Sequence, residues 1–298
     1  MSAPLDYKLL QALATVIDEQ SFERAANVLF ITQSAVSQRI KQLEQNIAQP
    51  VLIRTQPLKA TDIGKKLIGH YYQVVQLEAE LLPEIFNDSP QKPLTIHLAT
   101  NADSLATWLI PALAPTIKTN LIELNLLIAD EQHTIEKLKD GEAFGAISLQ
   151  ASPLKGCQAE KLGDLHYILV ASPDFKDTYF KEGINATTLT RAPGVAFDHR
   201  DNMHVRFIED HYGLKEGDYP LHAVRSSEAF ITLAKYGAAY CLVAELQIKD
   251  ELASGALINL LPDYKLIETL YWHHWTMLRG VHKKVSDTII QEGQRILE

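Results

Sequence analysis

Residues 62–86 carry two apolar stripes side by side, and no other feature constrains the fold as tightly. Leu67, Tyr71, Val74, Leu81 and Ile85 recur at near-heptad spacing, interrupted at Glu78. Ile68, Tyr72, Val75, Ala79, Leu82 and Phe86 form the second stripe. At ~1.5 Å per residue the predicted helix is roughly 37 Å long. Such a helix cannot stand alone in water, so something must cover it. It reads as a dimerisation surface, with packing inside one chain as the alternative. The helix divides the 298 residues into an N-terminal unit (1–61), a linker (62–89) and a larger remainder (90–298). The remainder is read as two lobes, 90–163 with 267–298 and 164–266.

The N-terminal unit reads as three helices, over 6–19, 22–29 and 33–47, with Ser21 and Thr32 as caps for the second and third. Ala25 and Ala26 are small enough for close helix packing. In the third helix Val36, Ile40, Leu43 and Ile47 form an apolar stripe. Ser34, Gln38, Lys41 and Gln45 point the opposite way, flanked by Ser37 and Gln42. Hydroxyls, amides and one cation can pair with base edges and phosphates, and a helix fits the DNA major groove. An ordinary solvated face is the other reading of that surface. The β-like run 50–54 and the turn 56–59 then predict a wing, before a helix that opens at Thr61. Candidate DNA-contacting residues are Thr32, Gln33, Ser34, Ser37, Gln38, Arg39, Lys41, Arg54, Lys59 and Thr61. The wing cations Arg54 and Lys59 are placed to hold phosphates.

The net charge of −9 looks wrong for a DNA binder until it is divided. Residues 1–66 hold eight Lys/Arg against six Asp/Glu, a balance of +2, which leaves −11 for the rest. The two cysteines, Cys157 and Cys241, lie far apart with no CxxC spacing. Free thiols in a reducing cytoplasm are expected, with no metal and no cofactor. No apolar run is long enough for a membrane span, and the first residues do not read as a signal peptide. His273 and His274 are adjacent on a predicted strand and so face opposite ways. No HExxH, Gly-rich phosphate loop or GxSxG elbow occurs, which argues against an enzyme.

These residues resemble the LysR-type transcription regulators. The stretch Ser21-Phe22-Glu23-Arg24-Ala25-Ala26 is similar to that family's second helix. Residues 32–44, from Thr32-Gln33-Ser34 through Gln42-Leu43-Glu44, resemble its recognition helix. Arg54-Thr55 and Thr61 with Gly64 resemble its wing and linker start. The resemblance covers the whole chain. It narrows, through residues 22–26, 31–44, 101–109, 111–115, 195–199, 226–230 and 270–273, to the arginine- and lysine-responsive members. It implies a winged helix-turn-helix and long linker helix, followed by a two-lobed α/β effector domain like periplasmic binding proteins. It further implies control of genes for basic amino-acid transport and biosynthesis, including an arginine exporter, with arginine and lysine as opposing effectors. A regulator with a different small-molecule effector is the alternative. Implied partners are double-stranded promoter DNA, a second copy of the chain or a dimer of dimers, and RNA polymerase.

After residue 93, strand and helix patterns alternate, as in an α/β fold. Strands are predicted over 94–99, 122–128, 145–149, 167–171, 195–197 and 240–243. Helices are predicted over 104–117, 134–139, 203–211 and 228–236, with a tail through 281–297 returning to the first lobe. Ligands in such folds sit at strand ends and helix N-termini. That places Asn101, Asp103 and Ser104 after the first strand, Asp130 and Glu131 after the second, and Ser148 at the third. From the second lobe come Asp198, His199, Ser226, Ser227 and Glu228. A basic amino acid needs one anion site and two cation sites. Asn101 and Ser104 are candidates for the carboxylate; Asp130, Glu131, Asp198 and Glu228 are candidates for the cations. Helix capping is an equal reading for Asp103.

Overall fold

The computed structural model describes residues 5–85, 93–129, 133–197 and 202–297, the side chains of 80, 82–84 and 202 excepted. Asp130, Glu131, Asp198 and His199, Phe86 of the second stripe, and the 89–92 part of the linker boundary lie outside the described residues.

Three short helices start the chain, each opened by a side chain that accepts an orphan backbone N–H. They are α1 (Tyr7–Glu19) on Asp6, α2 (Phe22–Val28) on Ser21 and α3 (Gln33–Ile47) on Thr32. Leu10, Leu13, Ala25, Val36 and Ile40 are fully buried where the three meet. Burying each large aliphatic side chain contributes roughly 1.5–3 kcal/mol. An antiparallel hairpin, β1 (Leu52–Ile53) and β2 (Lys59–Ala60), closes the unit.

The hairpin leads into α4 (Asp62–Ile85). Thr61 Oγ1 accepts the Gly64 amide at 3.1 Å and donates to the Pro50 carbonyl at 2.8 Å. Gly64 is required here, because a Cβ would lie 2.1 Å from the Val51 carbonyl oxygen. The two stripes have different fates along the helix. Leu67 and Ile68 are buried in the N-terminal core, whereas Val75, Leu81 and Ile85 are exposed. The first turns therefore pack within the chain, and the later turns leave apolar side chains uncovered.

From residue 94 the chain forms one nine-stranded mixed sheet. The strands are β3 (Leu94–Thr100), β4 (Ile122–Ile128), β5 (Gly145–Ser148), β6 (Cys157–Ala171), β7 (Gly194–Ala196), β8 (Leu221–Ala223), β9 (Tyr240–Ala244), β10 (Ile258–Asn259) and β11 (Leu266–Trp275). Their order is β4-β3-β5-β11-β6-β9-β7-β8, with β10 against β6. β3 pairs in parallel with β4 and β5, and β7 with β8 and β9. The long antiparallel pair β6–β11 joins these two parallel halves.

The expectation for β6 was wrong in extent. The strand begins ten residues earlier than the predicted 167. Its register with β11 shifts between Leu270 and Tyr271, opposite Gly163 and Lys161, which leaves Leu162 without a partner. An extra residue moves every later side chain to the other face, so alternation read from the sequence falls out of phase.

Helices cover the sheet: α5 (Ala102–Ser104), α6 (Ile110–Thr119), α7 (Thr134–Lys139), α8 (Pro173–Tyr179), α9 (Ala186–Leu189), α10 (Asn202–Tyr212), α11 (Ser227–Lys235), α12 (Lys249–Ser254) and α13 (Gly280–Ile296). α5 runs into α6 through a π turn, Leu105–Leu109. Pro111 has no N–H to bond back four residues, and the hydrogen-bond ladder widens just before it. The last helix, α13, returns to pack on α6 and β6. Trp272 Nε1 on β11 donates to Ser286 Oγ on α13 at 2.8 Å.

Candidate DNA-reading surface and effector cleft

The outer face of α3 is as the periodicity demands. Ser34, Gln38, Lys41, Gln42 and Gln45 are exposed, opposite buried Val36, Ile40 and Leu43. Gln33 is exposed as well, while Ser37 and Arg39 are half-buried. Thr32 Oγ1 accepts the Ala35 amide at 3.2 Å and lies 2.9 Å from Ser34 Oγ. The wing places Arg54 and Lys59 in solvent. Its position is fixed from two sides. The Arg54 guanidinium lies 5.6 Å from the centroid of the Phe22 ring on α2, a cation–π contact. Gln20 Nε2 donates to Ile17 and Leu58 carbonyls, tying the end of α1 to the hairpin.

At the carboxyl end of β3, Asn101 caps α5, its Oδ1 accepting the Ser104 amide at 3.3 Å. Asp103 accepts a 2.7 Å hydrogen bond from Tyr167 of β6, so this acid joins the helix start to the strand that crosses the sheet. Ser104 is fully buried and its hydroxyl has no partner. One turn on, Trp108 Nε1 is also buried and unpartnered. The π turn containing Trp108 packs on the 3-10 turn Glu245–Gln247, which follows β9 in the other half of the sheet. There Gln247 Nε2 donates to Ser227 Oγ at 3.3 Å, while its Oε1 is buried without a partner. Two donors and one acceptor are thus left unsatisfied around the seam between the halves, where buried polar groups ordinarily find partners.

The other sequence candidates divide. Ser148 is buried and accepts the Gln150 amide at 3.3 Å. Ser226 caps α11 and donates to Glu228 at 3.0 Å. Ser227 is buried near the seam, whereas Glu228 is exposed. Among the described residues no cluster of His, Cys, Asp and Glu could hold a metal ion. Burial pushes the Cys241 thiol up to about 12 and raises Cys157 as well, so neither is a ready nucleophile.

Two family models match this chain. "Bacterial regulatory helix-turn-helix protein, lysR family" covers residues 7–65, and "LysR substrate binding domain" covers residues 89–280. The chain belongs to the LysR family. Regulators described as "HTH-type transcriptional regulator ArgP" are similar over nearly their whole length. That of Aeromonas salmonicida is 55% identical, covering 99% of this chain and 98% of the relative. That of Vibrio vulnificus (strain CMCP6) is 53% identical, covering 97% of each. Among solved structures, ArgP from Mycobacterium tuberculosis superposes with a TM-score of 0.85 at 30% identity, covering 99% of both chains. Full-length LysG from Corynebacterium glutamicum with bound effector Arg superposes at 0.80 and 28% identity, covering 99% of this chain and 100% of that one.

This LysR-family chain is therefore a DNA-binding transcription regulator and not an enzyme. No helix among the described residues is long and apolar enough to cross a membrane. Three residues that sequence reasoning passed over now stand out. Phe30 occupies the α2–α3 turn with φ +53° and is 95% exposed, an aromatic beside the start of α3. Trp108 lay in a predicted helix and carried no sign that its indole N–H would be orphaned. Gln247 lay outside every predicted element, so only the packed structure brings it to the seam.

Proposed function

We propose that the chain regulates genes for basic amino-acid transport and biosynthesis, such as an arginine exporter, and that arginine and lysine are its effectors. The N-terminal unit 1–61 reads promoter DNA through α3, with Thr32, Gln33, Ser34, Ser37, Gln38, Arg39 and Lys41 near the bases. Arg54, Lys59 and Thr61 hold the backbone. Residues 62–89 join two chains into a dimer, in keeping with the uncovered Leu81 and Ile85. Two dimers join through the effector domains, in the cytoplasm, with RNA polymerase as the partner at the promoter. Residues 90–298 act as a two-lobed effector domain.

The observation that carries the effector reading is the set of unpartnered groups at the seam, Ser104 Oγ, Trp108 Nε1 and Gln247 Oε1. A zwitterion satisfies both kinds: its carboxylate accepts from the hydroxyl and the indole, and its ammonium donates to the amide oxygen. A relative that superposes over 99% of this chain holds arginine as its effector, which supports the same ligand here. The distal cation falls to Asp130, Glu131, Asp198 or Glu228, with His199 and Ser148 as further candidate contacts. Calorimetric titration with arginine, lysine and norleucine tests this reading. Arginine and lysine should bind at least tenfold more tightly than norleucine, and Asp198→Asn or Glu228→Gln should narrow that gap. Equal affinity for norleucine and lysine in the wild type would remove the cation site.

A further inference from the structure

A cavity of about 1220 Å3 lies between the N-terminal unit and the β3–β5 half of the sheet. None of the cleft residues around Ser104 lines it. One wall is the end of α1 and the middle of α4; the other is β3, β4 and the turn after α7. The walls are pinned together below. Lys65 Nζ on α4 lies 2.6 Å from Asp140 Oδ2. Gly69 and Gly141 meet backbone to backbone, so that a Cβ on Gly141 would lie 2.1 Å from Gly69 Cα.

Most of the charges lining this space are already paired, while Lys59 and Asp62 stand exposed at its hairpin end. Besides Lys65 with Asp140, Lys137 reaches Glu142 at 2.8 Å, and Asp18 accepts the Tyr72 hydroxyl at 2.7 Å. Burial lowers the proton affinity of His97 and of His282, the latter to about 4, so both rings are neutral at pH 7. Carboxamides are what remain unpartnered in its buried part. Gln76 is 94% buried, and neither its amide nitrogen nor its carbonyl oxygen has a partner. Gln20 Oε1 is buried and unpartnered on the same wall. Val75, Leu127, Phe144 and Trp275 supply apolar and aromatic surface around them.

We propose that this cavity is a second small-molecule site, which takes an uncharged aromatic carboxamide or lactam. Gln76 offers one donor and one acceptor side by side on a plane. Its complement is a group of the same kind, which forms two parallel hydrogen bonds with it. A carboxylate matches only half of that pattern and must leave water to reach Gln76. The ring of the ligand lies against Phe144 and Trp275, where aromatic contact adds to area burial. A molecule that touches both walls binds only while the two units are docked. It therefore shifts the population toward the docked form. This site is independent of the arginine reading.

The test uses the full-length protein with benzamide as probe, and with benzoate and toluene as its charged and purely apolar counterparts. Ligand-observed saturation-transfer NMR and titration read binding, and the thermal unfolding midpoint of each variant serves as the folding control. Benzamide should bind at least tenfold more tightly than benzoate or toluene, and Gln76→Leu should remove that preference. Val75→Trp, which fills the space without touching the amide, should abolish the benzamide signal. Equal benzamide binding to wild type and Gln76→Leu overturns the proposal. So does the absence of any benzamide signal from wild type. If Gln76→Leu instead changes the sedimenting mass and benzamide never binds, the occupant is a second copy of the chain and the small-molecule site is wrong.

Discussion

Ser104→Ala separates stability from function at the proposed effector cleft. The hydroxyl is fully buried and unpartnered, while the Ser104 backbone amide makes the capping bond to Asn101, which alanine keeps. An orphaned buried hydroxyl costs about 1–3 kcal/mol. Replacing it with a methyl removes that cost and loses only slight packing. The ligand-free variant should therefore gain about 1 kcal/mol, which raises Tm by roughly 2–4 °C for a unit of this size. Arginine binding should move the other way. A hydrogen bond from the hydroxyl to a carboxylate is worth about 1.5–3 kcal/mol, or roughly 10–150-fold in Kd. Calorimetric scanning without ligand and titration with arginine read the two effects on one preparation. Asn101→Ala is the contrasting variant, because it deletes the cap and should lower Tm at about 1 kcal/mol. A Ser104→Ala protein that melts several degrees lower and binds arginine as tightly as wild type would refute the reasoning.

Four further outcomes are expected. Gln38→Ala should lower affinity for an operator by about 1–3 kcal/mol and relax specificity, whereas Lys59→Ala should weaken all duplexes alike and flatten the salt dependence, both read by fluorescence anisotropy. Leu81→Asp with Ile85→Asp places charges on the uncovered end of α4 and should halve the sedimenting mass while the melting of the single chain changes little. Gly163→Ala should destabilise strongly, since φ there is +146° and a Cβ would lie 2.6 Å from Leu297 Cβ. Burial holds His204 at about 4, below its ordinary 6.5. Its contribution is thus intact above pH 6.5 and falls by roughly 1.4 kcal/mol per pH unit down to pH 4. His204→Phe should flatten denaturant-measured stability across that window.

The legible parts of the chain were those with an unbroken period. Val36, Ile40 and Leu43 mark the buried side of α3 because nothing interrupts the 3.6-residue repeat, and the exposed side follows by subtraction. The first ten residues of β6 were illegible because the unpaired Leu162 breaks the alternation at the point where the strand would otherwise declare itself. The π turn hid for a related reason. Its cause, Pro111, sits after the altered residues and reads in sequence as an ordinary early-helix proline. The seam was legible from one side only. Asn101 and Ser104 follow a clear strand and can be placed by rule. Gln247 comes from a 3-10 turn 143 residues after Ser104, and that turn meets the π turn following Ser104 only when the sheet assembles.

The β6–β11 pair has a mechanical consequence. Two hydrogen-bonded strands cross between the halves, and their register breaks at one place, beside Gly163. Such a joint flexes about a single axis and resists twist and slide, because either would tear the ladder on both sides of the break. Opening is then described by one angle. Two ligands sharing the proposed cleft would then hold the halves at different apertures rather than steer them in different directions. Under the proposed function, discrimination between an ammonium and a guanidinium would reach the N-terminal unit as a matter of degree along that one coordinate. A graded series of side-chain lengths in the ligand would accordingly trace a continuous dial of responses, on which the two proposed effectors would be two settings.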